Sequence, residues 1–262
     1  GKCDWTPQAL SLTALAWVRD VSFFGLRALR EAFRPPFEFS EIARHVYEIG
    51  WKSAPLIATS GFAIGVVLSM HTRASLERFG AEAMIPAGLA LALIKETGPL
   101  TCGLLMSGRV GAGIGAEIGA MKVTEQIDAL EAVAVDSFKF LAVTRILACI
   151  IAMPLLTTIM DFCGIAGGYL AEATVSGMSW QLYFQRAFSL IEFDDFIPAT
   201  LKTAVFGLII GTVASYLGFT TTSGTEGVGR ASTRSVVLAS MLIIVSNVVL
   251  VKMIFFLFPE PA

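Results

Sequence analysis

The sequence predicts an all-α integral membrane protein, because its composition and its long apolar segments suit a lipid environment. Of its 262 residues, 55% are hydrophobic and only 15% are charged, whereas an ordinary soluble domain has about a quarter charged residues. Nineteen basic residues against 21 acidic ones give a formal charge of −2, which argues against a nucleic-acid-binding protein with its concentrated basic surplus. Five apolar segments approach or reach the length that a helix needs to cross a hydrocarbon core of ~30 Å.

The N-terminal region, residues 1–39, is expected to form an amphipathic helix in the headgroup region of the membrane. Four apolar residues recur with helical spacing, while the arginines of this region fall on other faces. The apolar residues are Trp17, Val21, Phe24 and Ala28. Pro35-Pro36 ends this helix, and a second short helix, Ser40–Trp51, is predicted to lead into the membrane.

The remainder, residues 40–262, is expected to be one membrane domain with five spans. The predicted spans are Ala54–Met70, Ile85–Met106, Phe140–Tyr169, Ile197–Phe219 and Val236–Phe258. Most basic residues outside the spans precede the first span or follow the second and the fourth. Because basic loops stay in the cytoplasm, this distribution predicts a cytoplasmic N-terminus and a C-terminus on the opposite side.

Small residues recur at every fourth position of the second span and continue beyond its predicted end. They are Gly103, Ser107, Gly111, Gly115 and Gly119. Such rows allow helix backbones to approach closely in lipid, so this row is a candidate packing surface. Shorter rows in the first and fourth spans are interpreted as packing within the chain. These rows are Gly61, Gly65 and Ser69, and Gly207, Gly211 and Ser215.

Ionisable side chains inside apolar spans are costly, and each is therefore a candidate for function. Lys95 and Glu96 lie about midway along the second span, where either a functional role or a structural pair with another helix fits them. Three further charged residues lie nearer to span ends, where a long side chain can reach water, and packing or interface roles are expected for them. These are Asp161, Glu172 and Lys202. Asn247, in the last span, is predicted to form a hydrogen bond between helices.

The segment Glu117–Val133, between the second and third spans, is predicted to be a short amphipathic helix at the membrane surface. Its apolar stripe consists of Val123, Ile127, Leu130 and Ala134, and its polar stripe consists of Glu125, Asp128 and Glu131. Simple solvation would explain such a helix. Its attachment to the glycine-rich span also suits it to receive motion from a cytoplasmic partner.

No catalytic, nucleotide-binding or metal site is predicted. The sequence has two histidines, no HExxH motif and four cysteines without CxxC spacing. Gly224-Thr-Glu-Gly-Val-Gly229 has the glycine spacing of a P-loop, but Arg230-Ala231 follows it instead of lysine and serine or threonine. An energy source would therefore have to reside on another subunit.

Several motifs carry a resemblance to a known family. The central ones are Glu96-Thr-Gly-Pro99, Ser107-Gly-Arg-Val-Gly-Ala112, Ala116-Glu-Ile-Gly-Ala-Met121 and Val123-Thr-Glu-Gln-Ile-Asp-Ala-Leu130. Further matches are Arg145, Pro154-Leu-Leu156 and Gly227-Val-Gly-Arg-Ala-Ser-Thr-Arg-Ser-Val-Val237. Together these residues resemble the signature of the MlaE (YrbE) permeases over roughly Ile42 to Phe258, so that residues 40–262 would form an MlaE-type permease domain.

The resemblance implies the membrane subunit of an ABC transporter that moves phospholipids between the inner and outer membranes of a bacterium. Implied partners are a second copy of this chain, two copies of a cytoplasmic ABC ATPase, a periplasmic hexamer of MCE-domain proteins and a small STAS-domain protein. ATP and Mg would bind to the ATPase, and no cofactor to this chain. The chain would lie in the inner membrane.

The resemblance also assigns residues. The family's coupling helix, which contacts the ATPase, corresponds to Glu117, Met121, Lys122, Thr124, Glu125, Gln126 and Asp128. Lys95 and Glu96 correspond to a basic and acidic pair beside the lipid cavity. The lysine departs from the arginine expected there, and it keeps the charge but loses the bidentate contact to phosphate.

Two other classes of function are alternatives to an ABC transporter subunit. One is a proton-coupled secondary transporter with Glu96 as its proton relay, but the sequence has no inverted repeat and only five predicted spans. The other is a membrane-embedded lipid enzyme, which would require a nucleophile or metal set that the sequence lacks.

Overall fold

The computed structural model describes residues 7–35, 38–191, 193–222 and 224–257, and these residues form helices and short connections without any strand. Five helical stretches within them are long and apolar enough to cross a membrane, which confirms the predicted fold class. The stretches are Phe39–Phe79, Glu82–Val123, Phe138–Ser176, Phe196–Phe219 and Gly224–Ile254.

The first helix, α1 (Pro7–Ala32), lies against the helix bundle through its predicted apolar stripe. Val21 and Ala28 are buried. Phe24 packs edge to face on Phe138 and Tyr216, with ring centroids 5.0 and 5.7 Å apart. The amphipathic pattern therefore identified the face of α1 that contacts the protein.

The second helix, α2, runs without interruption from Phe39 to Leu76. The prediction of a separate helix over Ser40–Trp51 was wrong, because no break occurs between that segment and the span. Pro55 lies inside α2, where the loss of one backbone donor is tolerated in membrane helices. The hydroxyl of Thr59 donates to the Pro55 carbonyl oxygen, at 2.8 Å.

The second span combines three α-helical segments and two π-helical turns. The α-helical segments are α3 (Ile85–Ala92), α4 (Gly98–Met106) and α5 (Ala112–Val123), and the π-turns are Leu93–Thr97 and Ser107–Gly111. A π-turn inserts one residue into a helix and commonly occurs at functional sites. Both turns coincide with polar residues of the second span, namely Lys95 and Glu96 in the first and Ser107 and Arg109 in the second.

The rest of the chain completes the bundle. A short helix α6 (Gln126–Ala132) and a π-turn (Phe138–Val143) precede α7 (Thr144–Ser176). They are followed by α8 (Trp180–Ala187), α9 (Phe193–Phe219) and α10 (Gly224–Leu257). Because α6 and α8 connect successive pairs of spans, they lie at opposite ends of the bundle, which we call the α6 end and the α8 end.

The short glycine rows of the first and fourth spans pack within the chain, as predicted. A Cβ added at Gly65 would collide with the backbone of Gly164 in α7, so α2 and α7 touch backbone to backbone. At Gly211 of α9, an added Cβ would lie 2.8 Å from the Cα of Ile146 in α7. The helix α7 is therefore the central element against which α2 and α9 pack.

A buried ion pair joins α2 to α7 near the α8 end. The guanidinium of Arg73 donates to the carboxylate of Glu172, and the Ser69 hydroxyl also donates to it. Glu172 is 1% exposed, so of the packing and interface roles expected for it, the structure has the packing role. The buried ring of Tyr183 lies beside this pair on α8, and burial raises the pKa of its hydroxyl.

Candidate functional site

The first π-turn exposes a backbone carbonyl inside the span. The Gly98 amide donates to the Leu93 carbonyl, five residues earlier. Pro99 has no amide hydrogen, so it cannot donate to the Lys95 carbonyl four residues earlier. The π-turn and the proline thus leave the Lys95 carbonyl oxygen available to a donor from another helix.

Lys202 of α9 supplies that donor. Its ammonium donates to the Lys95 carbonyl oxygen at 2.7 Å and to Oε2 of Glu96 at 2.8 Å. The Asn247 side-chain amide, on α10, donates to Oε1 of Glu96. Lys202 is 4% exposed, whereas the Glu96 side chain is 44% exposed. A single carboxylate thus links three spans and remains partly exposed.

Asp161 of α7 lies next to the same turn. It is 2% exposed, and its Oδ1 atom has no hydrogen-bond partner among the described residues. It packs so closely on Gly98 that a Cβ added there would lie 2.9 Å from the Asp161 Cγ atom. Asp161 also lines an otherwise apolar cavity of about 270 Å³, together with Ile94 and Phe196 among others. The polar site and this apolar cavity are therefore adjacent.

Glu96 forms an ion pair with a basic residue on another helix, Lys202. The structural pair that the sequence allowed for Glu96 is therefore present. Of the packing and interface roles expected for Lys202, the structure has the packing role, because its ammonium lies inside the bundle and donates to the Lys95 carbonyl and to Glu96. Pro99 cannot donate to the carbonyl of Lys95, four residues earlier. This proline was the feature of the sequence that could have predicted a donor from another helix at that carbonyl. The interhelical hydrogen bond predicted for Asn247 is confirmed.

The long row of small residues in the second span faces α9 and α10. A Cβ added at Gly103 would lie 3.2 Å from Phe206 and 3.3 Å from Ile243. Ser107 forms a 2.6 Å hydrogen bond with Ser240. A Cβ added at Gly111 would make only van der Waals contacts of ordinary length, whereas a Cβ added at Gly119 would lie 3.1 Å from the Thr221 hydroxyl oxygen.

The tightest position of this row is Gly115, and it provides a test of the packing. Gly115→Leu is expected to destabilise the chain by about 1–3 kcal/mol through overpacking, because its Cβ would lie 2.5 Å from Ser235 Oγ and 3.3 Å from the Ala231 carbonyl. Thermal unfolding in detergent would measure this. Gly108→Leu is the matched control, since a Cβ there meets nothing within 4 Å. Equal melting temperatures for the two variants would contradict the packing described here.

The segment that resembles a coupling helix is divided in two. The first part belongs to α5 and includes Glu117, Met121 and Lys122. The helix is interrupted at Thr124 and Glu125, and α6 begins after them. The prediction of one helix over Glu117–Val133 was therefore wrong in its continuity. The break has a clear physical marker, since Glu125 has a φ of 59°, which is strained for a residue other than glycine.

Side-chain contacts hold α6 against the bundle on both sides of the break. Ile127 is buried in the core. Lys122 pairs with Asp128 at 3.1 Å, and Glu117 pairs with Arg145 of α7 at 2.7 Å. The exposed residues include Thr124, Glu125, Gln126 and Asp128. This exposed surface at the α6 end is available to a partner.

Comparison with known proteins identifies the family. The sequence model of the family described as Permease MlaE matches residues 42–253. The chain belongs to the MlaE permease family. A probable ABC transporter permease protein of Rickettsia bellii is 40% identical over 234 residues, covering 89% of this chain and 90% of the relative.

More distant relatives extend the similarity. The intermembrane phospholipid transport system permease protein MlaE of Haemophilus influenzae is 31% identical, over 83% of this chain and 84% of the relative. The chloroplastic protein TRIGALACTOSYLDIACYLGLYCEROL 1 of Arabidopsis thaliana is 32% identical, over 76% of this chain and 57% of the relative. This MlaE permease is a multi-pass membrane protein and a membrane transport subunit rather than an enzyme.

Proposed function

We propose that this chain is the membrane subunit of an ABC transporter that moves phospholipids between the inner and outer membranes. It would lie in the inner membrane as a homodimer, with its N-terminus in the cytoplasm and its C-terminus in the periplasm. The name of the Haemophilus relative supports the phospholipid substrate. A periplasmic MCE-domain hexamer and a STAS-domain protein are further proposed partners.

The observation that carries this proposal is the Lys202–Glu96–Asn247 network at the π-turn. Charged groups at membrane depth are costly and typically mark substrate pathways. Here one carboxylate joins α9, α10 and the second span, and its side chain is still 44% exposed. In the proposed mechanism, Glu96 and the polar groups beside it contact the lipid headgroup, while the apolar faces of the spans contact the acyl chains.

Energy would enter at the α6 end. ATP and Mg would bind to a separate ATPase, two copies of which would dock on the homodimer. The predicted contact residues are those assigned by the resemblance to the coupling helix, from Glu117 to Asp128. Since the Lys122–Asp128 pair ties α6 to α5, the last helical segment of the second span, a displacement of α6 would move the π-turn that carries Glu96. Lipid access to the site would change with it.

Two rival functions have less support. A proton-coupled secondary transporter would use Glu96 as its proton relay, but the side chain is already bound by Lys202 and Asn247 in a network between helices, which favours a structural or substrate-binding role. A lipid enzyme would have to act through a reactive group. Among the described residues, no cluster of three or more His, Cys, Asp and Glu side chains could hold a metal ion.

Affinity purification in mild detergent is the direct test of the proposed assembly. Recovery of an ABC ATPase and an MCE-domain protein with the chain, together with ATP-dependent phospholipid movement by the recovered complex, would support the proposal. Proton-driven lipid transport by the chain alone would favour the secondary transporter. Lipid turnover by the chain alone would favour the enzyme.

The coupling residues lead to a specific prediction. Glu125→Lys combined with Asp128→Lys reverses the charge of exposed positions beside and on α6, and it also removes the pair between Asp128 and Lys122 that ties α6 to the second span. We expect ATP-dependent transport to fall by at least about tenfold, because like charges across an interface cost several kcal/mol. Glu77→Lys with Glu82→Lys, two exposed changes at the α8 end, is the control of equal charge. Normal ATPase binding and transport by the α6 variant would refute the coupling assignment.

A further inference from the structure

A polar pocket lies between α2 and α5, near the α6 end, and Glu96 does not belong to its lining. Its volume is about 150 Å³. Lys52 and Arg109 contribute exposed cationic side chains, and Gly113 leaves its wall open, since a Cβ there would meet no atom within 4 Å. Ile49 and Ile114 add apolar surface beside these groups.

Two buried donors in the lining of this pocket have no partner in the part of the chain that the structure describes. Arg145 is 4% exposed, and its guanidinium donates from its two terminal nitrogens to the Leu141 carbonyl and to Glu117. Its Nε and the hydroxyl of the fully buried Ser53 have no hydrogen-bond partner among the described residues. A buried donor without an acceptor costs about 1–3 kcal/mol, so such groups call for a ligand or a water molecule.

The charge of the pocket favours an anion. Three cationic side chains, Lys52, Arg109 and Arg145, line it with two carboxylates, Glu48 and Glu117. Glu117 is paired with Arg145 at 2.7 Å, and Glu48 with Lys52 at 3.7 Å. Within the described part of the chain, Arg109 has no carboxylate within salt-bridge distance and supplies the surplus positive charge.

We propose that this pocket binds the phosphate group of a phospholipid. Arg109 and Lys52 contact the phosphate oxygens from the rim, and the buried Arg145 and Ser53 lie deeper in the lining, where Arg145 adds positive charge. Arginine matches the geometry of phosphate, and hydrogen bonds between charged groups are about twice as strong as neutral ones. The choice of a lipid over free phosphate rests on the proposed transport function and on the apolar surface beside the cations.

Protection of Arg109 from chemical modification tests this site. The full chain in an uncharged detergent is treated with phenylglyoxal, and the modification of each arginine is followed by mass spectrometry of its peptides. We expect phosphatidylglycerol to slow the modification of Arg109 at least about fivefold, as a charge-assisted contact predicts. Arg44 is the internal control, since it lies exposed on α2 outside the pocket and pairs with Glu41. Its modification rate should not change.

Two variants separate the pocket from general charge attraction. Gly113→Leu fills the pocket without changing any charge, and Lys52→Gln removes one proposed contact. Both should reduce the protection of Arg109, whereas Arg44→Gln should leave it intact. Since a Cβ at position 113 meets no neighbour, Gly113→Leu is expected to fold normally, as its melting temperature would verify.

The outcomes are distinguishable. Equal protection by dioleoylglycerol, which has the acyl chains without phosphate, would overturn the phosphate site, and so would equal protection of Arg44. Protection by inorganic phosphate at the same concentration would overturn the choice of a lipid. A chain that transports phospholipid but leaves Arg109 unprotected refutes this inference alone. Protection of Arg109 in a chain without lipid transport refutes the proposed function alone.

Discussion

Arg73→Leu is expected to destabilise the chain by about 3–5 kcal/mol, the typical effect of removing one partner of a buried ion pair. Glu172, the partner of Arg73, is 1% exposed and would remain as an uncompensated carboxylate between α2 and α7. The Ser69 hydroxyl would still donate to it, but one hydrogen bond from an uncharged hydroxyl does not replace the lost ion pair with Arg73. Thermal or denaturant unfolding of the purified chain in detergent measures the effect.

The double variant Arg73→Leu with Glu172→Leu should recover most of this loss, because replacing both members of a buried pair by apolar residues is often neutral or stabilising. Such a recovery would show that the pair contributes little net stability and that the single variant suffers from the isolated carboxylate. Lys52→Leu, which removes an exposed cation from a 3.7 Å pair on the same helix, is the control and should cost less than about 1 kcal/mol. Equal effects of Lys52→Leu and Arg73→Leu would contradict the burial of the pair.

Periodicity and composition were sufficient to predict the architecture. Five spans, the apolar stripe of α1 and the internal packing of the short glycine rows all follow from local patterns, because each reports how one helix contacts lipid or a neighbour. The boundaries were less accurate. The helix α2 extends through the predicted break after Trp51, since no residue there disfavours helix strongly enough to end it.

The partners of the charged residues could not be predicted, because they depend on how distant helices pack. Lys202 meets Glu96 across 106 positions of sequence, and the order of helices around the bundle is not encoded in either residue. The break before α6 could not be predicted from the sequence either. Glu125 adopts a left-handed conformation that is usual for glycine or asparagine. The apolar pattern therefore continues through this position in the sequence, although the helix is interrupted there.

Variants in the network around Glu96 allow its contribution to stability to be measured separately from its contribution to transport. Lys202→Met removes the ammonium that donates to the Lys95 carbonyl and to Glu96, although Asn247 still donates to Glu96. Glu96→Gln leaves the buried Lys202 ammonium without its carboxylate. Each is expected to destabilise the chain by about 1–3 kcal/mol. We expect a smaller effect than for Arg73→Leu, because the Glu96 side chain is 44% exposed and can be solvated.

The double variant Glu96→Gln with Lys202→Met decides between a structural and a substrate-binding network. It removes both charges, so it should be more stable than Lys202→Met alone. If the charged groups contact the lipid headgroup, its ATP-dependent transport should nevertheless stay at least about tenfold below normal, which corresponds to about 1.4 kcal/mol. The double variant at Arg73 and Glu172 is the control, because it removes a buried ion pair that lies away from Glu96, and it should transport normally. Restored stability together with normal transport at the Glu96 site would show that the network only holds the spans together, and the lipid-binding assignment of Lys95 and Glu96 would then be wrong.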